Sequence, residues 1–149
     1  MKLGTFQWFS LATAAPVYIL IVLGGLVSST GSGLACPDWP LCRTQILPTF
    51  TPAIAIEFTH RIWTLVVTVL VVATTVLAWR KFHWPNRVTQ LSTLMFTLLL
   101  CQIILGMVTV DTRTLPAAVT SHLAVATLVF GSALATSIVS LTSKGRLAR

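Results

Sequence analysis

Acidic residues are nearly missing from this sequence. Only Asp38, Glu57 and Asp111 carry carboxylate side chains, and charged residues of both signs make up 9% of the 149 residues. Soluble domains carry roughly 25%, so the polar surface that coats a water-soluble globule is absent and a water-soluble enzyme is excluded. A basic stripe is missing too. The net charge is +7 and the pI about 10.4, but the ten Lys and Arg are scattered in small groups, which argues against a nucleic-acid partner. No signal-peptide cleavage site follows the first apolar stretch. Gly33-Leu34-Ala35-Cys36 has Gly where a lipoprotein site carries Leu.

What is present is apolar: 55% hydrophobic residues and a mean hydropathy of +0.88. Four stretches, near 7–28, 56–79, 89–110 and 118–141, reach the roughly 20 residues that cross a bilayer. They predict an all-α integral membrane protein: one membrane domain over 1–149, folded as an antiparallel bundle of four transmembrane helices. Lys2, Arg80, Lys81, Arg87, Lys144, Arg146 and Arg149 fall on one side of that bundle, against Arg43, Arg61 and Arg113 on the other. The bias places both termini and the 80–88 loop in the cytoplasm of a multi-pass cell-membrane protein. Segments 29–55 and 111–117 are then extracytoplasmic. Thr51-Pro52 and Leu115-Pro116 read as helix starts, and Trp79 and Trp84 as an aromatic belt.

A weak 2+2 internal repeat runs through the chain. Leu23-Gly24-Gly25-Leu26-Val27 precedes a helix with Phe58-Thr59-His60, and Leu105-Gly106-Met107-Val108-Thr109 precedes one with Thr120-Ser121-His122. Repeats in membrane folds commonly place a site at their interface.

Ionisable residues inside spans are expensive and mark function. Glu57, His60 and Arg61 share one face of the second helix through spacings of three and four; a Glu57–Arg61 ion pair at the interface is the plain reading of those two. Twenty residues separate His60 from Arg80 and 22 separate His122 from Lys144. At 1.5 Å per residue these are about 30 and about 33 Å, so both imidazoles lie at one depth near the extracytoplasmic surface. Two His at one depth on two helices suit the axial positions of a haem iron. Hydrogen bonding of two unrelated His, or zinc held with Glu57, remain open from the residues alone. His83 reads as a solvated loop residue. Cys36 and Cys42 flank Pro37-Asp38-Trp39-Pro40-Leu41 on the oxidising side, as a structural staple or as a redox-active pair. Cys101 reads as a small apolar residue.

These motifs together resemble the haem A synthase family. The run from Gly31 to Cys42 is similar to that family's first extracytoplasmic loop, and Ile56-Glu57-Phe58-Thr59-His60-Arg61 to the start of its second helix. Gln102 to Val110 and the His122 segment resemble its third and fourth helices. The resemblance implies oxidation of a porphyrin-ring methyl of haem O to a formyl group by successive hydroxylation, giving haem A for terminal oxidases. It implies His60 and His122 as haem iron ligands and Glu57 as the catalytic carboxylate. It also implies a Cys36–Cys42 disulfide that could relay electrons, with Arg61 and Arg113 as candidates for propionate contacts. Typical family members have eight helices in two halves, with substrate haem in the first and haem b in the second. This chain resembles a compact, half-length form matching the first half. A homo-oligomer is therefore expected, with haem O synthase and the terminal oxidase assembly as partners, besides the lipid bilayer. Three rival readings stand beside this one. A non-enzymatic assembly or scaffold protein leaves the matched depth of the two His unexplained, and the other two use subsets of the same residues. A b-type cytochrome linked to quinone uses the two His but leaves Glu57 and the cysteines unexplained. A quinone-linked thiol–disulfide oxidoreductase uses the cysteines and holds no haem.

Overall fold

The computed structural model describes residues 3–146, and side chains as far as 142. Of the basic residues used for topology, Lys2 and Arg149 and the side chains of Lys144 and Arg146 lie outside what is described. Four helices account for most of the chain: α1 Thr5–Ser29, α2 Pro52–Phe82, α3 Arg87–Asp111 and α4 Pro116–Arg146. All four are long and apolar enough to span a membrane, and the protein is a multi-pass, four-helix transmembrane bundle. Each helix extends a few residues beyond the stretch expected from hydropathy, because polar and basic residues continue a helix past the hydrocarbon layer.

Local chemistry sets the helix ends. Thr51 Oγ1 accepts from the Ile54 amide and Pro52 sits in the first turn of α2, where a missing N–H costs nothing. Asn86 and Thr89 form a reciprocal capping box at the start of α3, a signal present in the sequence but not read from it. The connections 83–86 and 112–115 are short, so consecutive helices are antiparallel neighbours. α1 packs on α2 and α4, and α3 packs on α4 and α2. α2 and α4 therefore stand diagonally across the bundle.

Lipid is as apolar as the core, so packing and hydrogen bonds hold such helices together. The mid-bundle core takes Ala14 and Val17 from α1, Val67 and Val71 from α2, Met95 and Leu99 from α3, and Val129 and Ala133 from α4. Along α4, Ser132, Thr136, Ser137 and Ser140 are also buried. Their hydroxyls bond back to carbonyls of their own helix, so small size is what they contribute to the interface. Every pair of neighbouring helices also shares a polar tie. Thr13 Oγ1 and Thr74 Oγ1 are 2.8 Å apart between α1 and α2, and Thr75 Oγ1 donates to the Ser92 carbonyl of α3. Gln7 Nε2 donates to the Ser140 carbonyl, joining α1 to α4. The fourth tie, between α3 and α4, belongs to the site described next.

Candidate functional site

The residues of interest gather at the end of the bundle that carries the long 30–51 connection. A disulfide joins Cys36 to Cys42, and both cysteines are buried with Ile54 against the start of α2. The connection then reverses through Arg43 and Thr44. Both have left-handed backbones, with φ of 54° and 62°, between Cys42 and Gln45, whose amides and carbonyls bond to each other. A β-branched residue in that region is strained. The Asp38 carboxylate compensates, accepting from the Arg43 and Thr44 amides. These bonds, led by that from Thr44, hold the Asp38 carboxyl below its ordinary range.

Arg61 fastens this loop to α2. Its Nε donates to Glu57 Oε1 at 2.7 Å, Nη1 donates to the carbonyls of Asp38 and Leu41, and Nη2 donates to that of Cys36. The ion pair expected from the spacing is present, and it is one part of a larger clamp. Four of the five guanidinium N–H donors are committed, which leaves one for any anion. Glu57 is buried, with 5% of its surface exposed. Its carboxylate is thus fixed from the loop side by a cation whose other partners are backbone carbonyls of the disulfide-closed segment.

The two imidazoles come from the diagonal helices. His60 of α2 lies over Gly24 of α1, and His122 of α4 lies over Gly106 of α3. A Cβ at Gly24 would meet His60 Cε1 at 3.3 Å, and one at Gly106 would meet His122 Cε1 at 3.2 Å. Both glycines sit five residues before the end of their helix, so the two contacts lie at matching depth. These are the glycines paired in the Leu23-Gly24 and Leu105-Gly106 match. Within each half, a helix offers a bare patch of backbone and the next helix lays an imidazole on it.

His60 and His122 share one further feature. Each has a buried Nδ1 without a hydrogen-bond partner. His122 Nε2 lies 3.1 Å from Gln102 Nε2, which supplies the polar tie between α3 and α4. Sequence reasoning included Gln102 only within a longer run, although an amide inside a span is itself a signal. Arg113 and His83 are exposed in their connections, and Cys101 is exposed on α3. The structure thus brings Glu57, His60, Arg61, His122 and the Cys36–Cys42 loop to one end of the bundle. Arg113 joins them only at the rim: the Thr114 methyl beside it packs near Gly33 of the long connection.

The chain is similar in sequence to known proteins. Over 127 residues, 84% of this chain and 41% of the relative, the chain is 36% identical to a Heme A synthase of Bacillus pumilus (strain SAFR-032). It is 35% identical over 102 residues to a Heme A synthase of Lysinibacillus sphaericus (strain C3-41), covering 67% of this chain and 33% of that protein. A Heme A synthase of Geobacillus kaustophilus (strain HTA426) is 32% identical over 104 residues, 68% of this chain and 33% of that protein. The chain thus spans between a third and about two fifths of the length of these curated relatives. The family profile described as cytochrome oxidase assembly protein, COX15-CtaA, matches residues 7–55 and 47–147. The chain belongs to the COX15-CtaA family of cytochrome oxidase assembly proteins.

Proposed function

We propose that this chain acts as a haem A synthase, an oxidoreductase that converts a ring methyl of haem O to a formyl group. The observation that carries the reading is a pair of imidazoles from diagonal helices, each seated on a glycine, with a buried carboxylate one turn before His60. The residues fit an iron held in a porphyrin. Among the described residues no three His, Cys, Asp or Glu side chains gather to hold a metal ion. Two imidazoles alone would leave a bare ion short of ligands, whereas a macrocycle brings its own equatorial nitrogens. Both rings also sit where a larger residue than glycine would crowd them.

In this reading His60 of α2 and His122 of α4 would be the side chains that hold the haem iron. When bound, haem O would supply the ring methyl: two hydroxylations, each a two-electron oxidation that draws on an oxidant from outside the chain, would give a hydrated aldehyde, and loss of water would leave the formyl group. Glu57 handles protons as C–H bonds are replaced, a role that needs a positioned carboxylate. Arg61 keeps that carboxylate in place and retains one N–H for a propionate, while Arg113 at the rim is free to contact the other. The four helices exclude water from the ring.

The excess of basic residues supports termini and an 83–86 connection in the cytoplasm of a plasma-membrane protein, with the disulfide loop outside. Haem O synthase as donor, a terminal oxidase as recipient and a second copy of the chain are the proposed partners. The test is product analysis. In a host that makes haem O and no haem A, expression of the chain should yield a formyl-bearing haem on acid extraction and chromatography, and Glu57→Gln should abolish it. Haem O that persists unchanged beside well-folded protein would overturn the reading, and haem b alone would return the chain to an electron-transfer cytochrome.

A further inference from the structure

The two imidazoles are alike in depth and in their glycine contacts, but they differ in what holds them. His60 makes no side-chain hydrogen bond among the described residues, whereas His122 Nε2 is met by the Gln102 carboxamide at 3.1 Å. Gln102 lies one helical turn before Gly106, so α3 presents both the backbone patch under the ring and the amide at its edge. The same position in the first half, one turn before Gly24, is Leu20, which cannot make that bond.

The chemistry of the contact is specific. With the amide nitrogen facing the ring, the amide donates and His122 Nε2 accepts through its lone pair; with the carboxamide turned over, Oε1 accepts from an Nε2–H, and in either orientation the carboxamide occupies Nε2. That nitrogen is the one a metal would take. Gln102 is 9% exposed, and its Oε1 has no partner. The carboxamide is therefore buried in a setting where His122 is its sole side-chain partner among the described residues, and it gains nothing by turning away unless another group arrives.

We propose that Gln102 is a positioning residue of the iron site: its carboxamide holds Nε2 of His122 and must let go before iron can take that nitrogen. His122, and not His60, is then the ligand whose coordination the chain restrains. The bundle grips an incoming porphyrin first through His60 and closes the second bond at the cost of the Gln102 contact. The inference rests on the haem reading above.

The experiment is a titration of the detergent-purified chain with hemin, read by the Soret band and by the low-spin signal in electron paramagnetic resonance. The variants are Gln102→Leu, Gln102→Glu and His122→Ala. Loss of one neutral hydrogen bond predicts hemin binding about fivefold tighter in Gln102→Leu, with the low-spin signal kept. A carboxylate at 102 draws the ring proton onto Nε2 and holds it by a stronger, charge-assisted bond, so Gln102→Glu should bind more weakly than wild type. A residue that merely supports the fold would weaken binding in both variants; that result, or three equal affinities, overturns the proposal while leaving the haem reading intact. A wild-type chain that binds no hemin, or whose low-spin signal survives in His122→Ala, overturns the reading and the proposal together.

Discussion

Replacing Gly24 or Gly106 separates the site from the fold. A methyl added at Gly106 would stand 3.2 Å from His122 Cε1, and one at Gly24 3.3 Å from His60 Cε1. Carbon atoms pack best at about 3.5–4.0 Å, so the rings must retreat by roughly 0.2–0.8 Å, or turn off their rotamers at about 0.5–1.5 kcal/mol. Against that, alanine inside a helix is favoured over glycine by about 0.8–1.0 kcal/mol. The two effects nearly cancel in stability, and the displaced imidazole is what remains. Gly24→Ala and Gly106→Ala should therefore unfold within a few degrees of wild type while losing most of the low-spin haem signal. Gly24→Val and Gly106→Val should abolish that signal. Melting followed by tryptophan fluorescence, beside haem optical spectra of the same samples, gives both quantities. Valine variants with normal low-spin spectra would show that neither glycine is the floor of a ligand.

Three further outcomes follow from the clamp around Arg61. Glu57→Gln keeps an acceptor for Arg61 Nε, so haem binding should persist while formyl product is lost; conversion at the wild-type rate would remove Glu57 from the chemistry. Arg61→Gln gives up the three loop carbonyls and leaves Glu57 buried without its cation. By the usual cost of breaking such a pair it should destabilise the loop end by about 3 kcal/mol, seen as faster amide exchange at residues 36–44, and unchanged exchange would refute the clamp. Asp38 is held below the ordinary carboxylate range by the Thr44 and Arg43 amides. Its contribution is complete above the unfolded value near pH 4 and is lost as pH falls through the lowered one. Exchange at Arg43 and Thr44 should accelerate only in strong acid in the wild type, and at all pH values in Asp38→Asn.

The legible parts of this protein were those written in local chemistry. Apolar length marks the four helices, and Thr51-Pro52 and Leu115-Pro116 mark two starts because capping involves only neighbouring residues. The spacing of Glu57, His60 and Arg61 fixes one helix face in the same way. Partners that are backbone leave no such trace. The carbonyls of Cys36, Asp38 and Leu41 that take three of the Arg61 N–H groups carry no sequence signal, so the sequence marks Arg61 as a candidate propionate contact without showing that the folded loop leaves it one N–H for that role. Gly24 and Gly106 were visible as a repeat, but that each lies under an imidazole depends on helix rotation, which hydropathy does not set. The contact of Gln102 with His122 is of the same kind: an amide in a span announces a partner without naming it.

The central claim is that His60 and His122 hold one haem iron between diagonal helices. The most direct measurement is the optical and electron paramagnetic resonance spectrum of the detergent-purified chain from cells making haem O, beside His60→Ala and His122→Ala. The account expects a low-spin haem in the wild type and its loss or conversion to high spin in each variant. A low-spin spectrum that survives both substitutions, or no haem in the wild type, would contradict it.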